Sequence, residues 1–166
     1  MAIKDEMQFV TFTLENEVFG IDVRQAREII KVRDYTKVPQ APSYIKGIIN
    51  LRGQITPIVD LHALFGMPIK DLSGDSRVII TEVNGETVGI LVDSVLGVQR
   101  IGNDDIVPLP ELARNDDDTS IIGIAKKDDK LIILIDIQRL LTKPSTAESL
   151  GEVVKGAHAV EAKARA

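Results

Sequence analysis

One pattern occurs twice in this chain of 166 residues, and it limits the fold more than any other feature. Phe9-Val-Thr-Phe-Thr-Leu14 is a run of β-branched and aromatic residues. A polar turn, Glu15-Asn-Glu17, follows, and the strand character resumes at Val18-Phe-Gly-Ile21. Arg77 to Ile90 repeats this order, with Val88-Gly-Ile90 standing where Phe19-Gly-Ile21 stood. Gly47-Ile matches Gly123-Ile, Thr56-Pro-Ile-Val-Asp-Leu61 matches Ile132-Ile-Leu-Ile-Asp-Ile137, and Leu64-Phe65 matches Leu140-Leu141. The offset is about 70 residues, which marks an internal duplication. Each unit holds roughly five short strands and one short helix. So many strands in so short a unit close most readily into a small barrel, which removes exposed sheet edges. The expectation is an all-β chain of two five-stranded barrels, residues 1–68 and 69–143, with a C-terminal helix or tail over 144–166.

Within the first unit, Phe9 to Ile21 reads as a hairpin and Asp22 to Ala26 as a single turn. Glu28-Ile-Ile-Lys-Val-Arg33 is a third strand, and Lys37-Val-Pro-Gln-Ala-Pro42 a surface loop. Between Tyr44 and Leu61, residues Ile45, Ile49, Leu51, Ile55, Pro57, Val59 and Leu61 all fall on odd positions, a period of two interrupted at Arg52-Gly53, the turn. Pro57 lacks an amide donor, so its strand is expected at an edge or at a bulge. Asp60 to Gly66 reads as a short helix with Asp60 as its cap, and Met67 to Ser76 as the linker between units. Ser145-Thr-Ala-Glu148 has the form of a capping box, followed by Leu150, Val153, Val154 and Ala157 at helical spacing.

Composition removes most chemistry. There is no cysteine, so thiol catalysis, thiolate metal sites and disulfides are excluded. The net charge of −5 and an aromatic content of 4% oppose a nucleic-acid partner. No phosphate-binding glycine loop and no hydrolase or metalloprotease motif is present. His62, on a short amphipathic helix, reads as a surface or edge histidine. Asp60 and Asp136 occupy one place in the two repeats, so capping explains them better than catalysis. Asp116-Asp-Asp118 lacks the ligand spacing of a calcium loop and reads as a solvated acidic loop. The expectation is a non-enzymatic protein with no metal and no cofactor. No apolar run nears the roughly 20 residues of a membrane span and no secretory signal opens the chain, so a cytoplasmic protein without membrane insertion is expected.

Binding is what remains. Two packed barrels leave a groove able to hold a helix or loop of a partner. The asymmetric residues are the candidates: Glu28, Arg52, Val98 and the loop Val107-Pro-Leu-Pro-Glu-Leu112. Arg52 at its hairpin tip either is solvated or paired locally, or presents its planar fork to a partner's carboxylates and carbonyls. The proline loop either covers a barrel end or is a contact patch.

Phe19-Gly-Ile-Asp22, Val23 to Glu28 and above all Tyr44-Ile-Lys-Gly-Ile-Ile-Asn-Leu-Arg-Gly-Gln-Ile-Thr-Pro-Ile-Val-Asp-Leu61 closely resemble the CheW family of bacterial chemotaxis coupling proteins. The resemblance runs from Gln8 to Leu141, more loosely in the second half through Val88-Gly-Ile-Leu-Val-Asp93. It implies two SH3-like five-stranded barrels. It also implies an adaptor between the cytoplasmic tips of methyl-accepting chemoreceptors and the histidine kinase CheA. The family's receptor-binding positions fall on Ala26, Glu28, Arg52 and Val98, and its kinase-side positions on Val107, Glu111 and Leu112. Ala26 is smaller than the branched aliphatic expected at its place, and Val107 stands where some relatives carry a basic residue. A coupler of pilus-driven motility and a small-barrel nucleic-acid binder are the alternatives.

Overall fold

The computed structural model describes residues 6–32, 34–110 and 120–142. Its elements in order are β1 (Glu6–Leu14), β2 (Glu17–Asp22), a 3-10 turn (Val23–Gln25), β3 (Glu28–Ile30), β4 (Ile45–Leu51), β5 (Gln54–Asp60) and α1 (Leu61–Leu64). There follow β6 (Arg77–Val83), β7 (Glu86–Val92), β8 (Ser94–Gly102), a second 3-10 turn (Asn103–Asp105), β9 (Ile106–Val107), β10 (Ile121–Lys127), β11 (Lys130–Ile135) and α2 (Ile137–Leu141). The all-β expectation holds. The expected C-terminal helix over 144–166 lies outside the described residues.

The strands form two sheets, ordered β8-β1-β2-β11-β10-β9 and β3-β6-β7-β5-β4. The boundary expected at 68/69 does not separate them. The first sheet combines the opening hairpin β1–β2 with the closing hairpin β10–β11, and the second holds everything from β3 to β7. Each repeat therefore gives its first hairpin to the other repeat's second hairpin. Both junctions are parallel and equivalent: Gly20 of β2 opposes Leu134 of β11, and Gly89 of β7 opposes Ile58 of β5. The segment 67–76 joins α1 to β6 inside the second lobe, so it links no domains. Among the described residues the chain crosses between sheets at two places, between β2 and β3 and at Asp93 between β7 and β8.

Each lobe closes by bending one strand. In the first, the chain from β8 turns at Asn103–Asp105, and β9 pairs with β10. In the second, the chain beyond β3 reaches Thr36, which exchanges amide bonds with Ile48 of β4 at 2.9 and 2.8 Å. Counting β8 and β9 as one bent strand gives five strands per lobe, the SH3-like arrangement. Glycine is required where this strand crosses. A Cβ on Gly47 would lie 2.6 Å from the Thr36 carbonyl oxygen, and one on Gly123 would lie 3.0 Å from that of Val107. The repeated Gly-Ile pair therefore marks barrel closure. Lys46 and Ile122, one residue before each glycine, fall at matching bulges in the register of β4 and β10.

Burial follows from this layering. Phe9, Ile101, Ala125, Ile132 and Leu134 fill the first lobe, and Ile58, Val78, Ile80 and Leu91 the second. The opposite faces of the same strands meet between the lobes: Val10, Phe12 and Phe19 with Val59, Ile79, Ile90, Ile135 and both helices. Strands buried on both faces need continuous apolar runs. That explains Val78-Ile-Ile80 and Gly89-Ile-Leu-Val92. Phe12, Phe19 and Phe65 stack at centroid distances of 5.9 and 5.7 Å, joining a helix end of one lobe to strands of the other.

Several local expectations change. β3 ends at Ile30 rather than Arg33. β5 lies between β7 and β4 and is no edge, but its pairing with β7 begins only at Ile58. Pro57 thus sits where one side of the strand has no partner, and its missing donor costs no ladder bond there. His62 is not on the surface: it is 2% exposed.

Candidate functional site

Asn50 to Gln54 builds the clearest candidate. Leu51 pairs with Gln54, leaving a two-residue loop in which Arg52 has φ 49° and Gly53 φ 85°. Positive φ at both central positions is the type I′ pattern, whose twist suits a hairpin and whose preferred first residue is Asn, Asp or Gly. Asn50 Oδ1 accepts from the Gly53 amide at 2.7 Å and stiffens the turn. Arginine occupies the left-handed position against local preference. Such departures gather at positions used for something other than folding.

The Arg52 side chain is directed by Glu28. Its Nη2 donates to Glu28 Oε1 at 2.7 Å, with the arginine 73% and the glutamate 32% exposed. The Glu28 carboxylate raises the Arg52 pKa, chiefly by accepting this bond and secondarily by its charge. One edge of the guanidinium is committed and the rest of the fork faces solvent. An exposed pair of this kind contributes little to stability. Its effect is to aim an arginine. Ala26, two residues before Glu28, closes the first 3-10 turn and packs partly against the interlobe core.

Val98 lies elsewhere. It is 56% exposed on β8, the edge of the other lobe, opposite Val10. A register shift leaves Leu96 and Gly97 in a bulge, with Gly97 at φ 138°, and Leu96 is exposed beside Val98. The structure thus joins Glu28 to Arg52 with Ala26 alongside. Val98 hangs on a different strand, tied to β1 and not to that pair. Val107, exposed in β9, opposes Ile124. By register Lys126 and its partner Leu131 stand on the same face, and Leu131 is also exposed. Glu111 and Leu112 lie outside the described residues. Sequence reasoning passed over Leu96, Ile29 and Leu131, all exposed on strands. Alternation hid them, because each stands in a run that reads as core.

A second constellation, around His62, was also missed. Asp60 caps α1, accepting from the His62 amide at 3.0 Å. The ring then sits between two carboxylates: Nδ1 is 3.0 Å from Asp60 Oδ1 and Nε2 is 3.0 Å from Asp93 Oδ2. Asp93 Oδ2 also accepts from the Glu15 amide at 2.7 Å, and Lys70 Nζ pairs with Glu15 Oε2 at 2.6 Å. The Glu15 carboxylate raises the Lys70 pKa, mainly through this hydrogen bond. The first crossing carries a neutral counterpart. Gln25 Nε2 donates to Asp136 Oδ1 at 3.1 Å, and its Oε1 accepts from the Ile137 amide at 3.2 Å, at the start of α2. Each crossing is therefore stitched to the N-terminus of a helix. Aspartates 60 and 136 cap their helices as expected.

Among the described residues no group of three or more histidine, aspartate or glutamate side chains is placed to hold a metal ion. No helix among them is long and apolar enough to cross a membrane.

Residues 8–145 match the model of the CheW-like domain. The chain belongs to the CheW-like family. It is 35% identical over 147 residues to the chemotaxis protein CheW of Treponema pallidum, covering 86% of each chain. It is 32% identical over 148 residues to the chemotaxis protein CheW of Bacillus subtilis, covering 89% of this chain and 95% of that one. The crystal structure of the scaffolding protein TtCheW from Thermoanaerobacter tengcongensis superposes with a TM-score of 0.75 at 40% identity, covering 84% of this chain and 95% of that one. Both CheW-like lobes fall within the matched residues. The family identifies the chain as a scaffold of chemotaxis.

Proposed function

We propose that this protein couples the cytoplasmic tips of methyl-accepting chemoreceptors to the histidine kinase CheA, as a non-enzymatic adaptor working at membrane-associated receptor arrays. The carrying observation is the arginine held in a left-handed turn position and aimed by Glu28, on a chain whose whole described fold matches the CheW-like family. In this reading Ala26, Glu28, Arg52 and Val98 meet the receptor. The free donors of Arg52 take a carboxylate or helix-terminal carbonyl, while Val98 and Leu96 offer apolar contact to a helix face. In the same reading Val107, Glu111 and Leu112 are the kinase-binding positions. Each interface is modest, and many copies in an array supply avidity.

The test is a paired titration of the Arg52→Asp variant against a receptor-tip fragment and against CheA. A charge-assisted bond contributes about 1.5–3 kcal/mol, so receptor affinity is expected to fall about tenfold or more while kinase affinity holds. Unchanged receptor binding refutes the role of Arg52. Equal loss of both affinities refutes a site-specific effect.

A further inference from the structure

We infer that His62 is a protonation-sensitive clasp that sets the position of β8, and with it Val98, relative to the lobe carrying Arg52. The inference rests on the receptor-coupling reading for its consequence, but not for its structural basis. Asp93 is the residue at which the chain leaves the second lobe, and β8 begins at the next residue. Its amide donates to the Thr13 carbonyl at 3.0 Å, and Ser94 Oγ meets Thr13 Oγ1 at 2.7 Å. The root of β8 is thereby fixed to the β1–β2 hairpin. His62 is the side chain that ties this root to α1 and so to β5, whose other end carries the Arg52 turn. The two halves of the proposed receptor surface belong to different sheets, and the imidazole lies on a covalent and hydrogen-bonded path between them.

Proton count decides whether the clasp holds. An ionised carboxylate only accepts, and the ring faces one at each nitrogen. Both bonds form only when both nitrogens carry protons. Removing one proton leaves a lone pair against a carboxylate oxygen, and one bond is lost. The charged groups around the ring are Asp60 from β5, Asp93 from the β7–β8 junction, and Glu15 with Lys70 beyond it. Lys70 pairs with Glu15 and also feels the Asp93 charge, but only the ring bridges Asp60 and Asp93, so its proton count sets both bonds. The sign follows: the clasp is complete at low pH and weakens as pH rises through the loss of the ring proton. The first crossing has no such dependence, because Gln25 holds α2 with a neutral amide.

The experiment uses full-length protein carrying His158→Gln, which leaves His62 as the single histidine. Ring nitrogen, Glu15 amide and Val98 methyl signals are followed by NMR between about pH 5 and pH 8, the range in which histidine changes charge. Two protonated ring nitrogens at the acid end, with Glu15 and Val98 signals moving at the ring's own midpoint and the Gln25 side-chain amide still, support the clasp. A ring with one bare nitrogen throughout overturns it, as does a ring that titrates without moving Val98. Adding His62→Gln, the residue at the repeat-equivalent position 138, is expected to hold the Val98 signal at its alkaline position. In parallel, affinity for a receptor-tip fragment is expected to fall about fivefold on going to the alkaline end, with CheA affinity flat. Coupled NMR signals together with no receptor binding at any pH support the clasp and count against the receptor reading. Pronounced receptor binding that ignores the ring's midpoint overturns the clasp's functional role.

Discussion

At the scale of single residues, Arg52 separates what a position does for folding from what it does for a partner. A left-handed φ costs a residue with a β-carbon about 1 kcal/mol, less for Asn. Arg52→Asn restores the preferred Asn-Gly pair. The variant is expected to melt at or slightly above the parent temperature while losing receptor affinity about tenfold, read by calorimetry and titration together. His62→Leu should lower stability and, by removing both ring bonds, weaken receptor binding as well. It leaves Asp60, 1% exposed and with Oδ2 already lacking a protein partner, with only the backbone cap bond to Oδ1. About 3 kcal/mol of stability should be lost, seen as a lower midpoint in urea. Asp22 supplies a pH effect on stability. Its pKa is lowered, first by the side-chain bond from Arg24. A depressed carboxyl contributes stability above its unfolded value and loses it as pH falls, so Asp22→Asn should flatten the acid limb of the stability curve below about pH 4. The caps at Asp60 and Asp136 were legible because capping needs only local sequence. His62 was not. Its second partner is 31 residues away in the chain, and a lone histidine on a short helix gives no sign of it.

At the scale of elements, the repeated glycines carry the sharpest expectations. Gly47→Ala sets a methyl 2.6 Å from a backbone oxygen that belongs to the closing strand, and Gly123→Ala does the same at 3.0 Å. Overpacking of this kind costs about 1–3 kcal/mol. Both variants should melt lower, Gly47→Ala the more so. Gly74→Ala has open space and no positive φ, and it should be neutral or gain about 0.5 kcal/mol by restricting the unfolded chain. Thermal melts of the three variants side by side are the check. Hairpins and turns could be read from the sequence because strand period and turn residues are local. Pro57 shows the limit: an edge or a bulge was expected, and the strand is interior, with Pro57 one residue before pairing on its second side begins and next to the β4 bulge. The bending of β8 into β9 was equally hidden, since it depends on which strand lies across the barrel and not on the residues that bend.

At the scale of the whole molecule, the duplication was legible and the exchange was not. Matching Phe19-Gly-Ile21 to Val88-Gly-Ile90 reveals two units, but the choice of partner hairpin is made by parallel contacts such as Gly20 with Leu134, which leave no periodic mark. Exchange has a direct test. Fragments 1–68 and 69–166 should each show little signal dispersion in NMR spectra alone and recover native spectra when mixed, because each lobe needs strands from both. A well-folded isolated fragment would disprove the exchanged architecture. The same feature speaks to ancestry. A half-length chain bearing one unit has a first hairpin and a second hairpin that cannot complete a lobe together in this geometry. It would complete both lobes only by trading hairpins with another copy of itself, as a symmetric swapped pair. Fusing the two genes end to end then turns a dimer's interface into the interior of a monomer. Once joined, the halves are free to diverge, and their equivalent tips now carry Arg52-Gly53 and Asp128-Asp129. Two unlike faces would then derive from one ancestral surface, as the proposed coupling of two different partners requires.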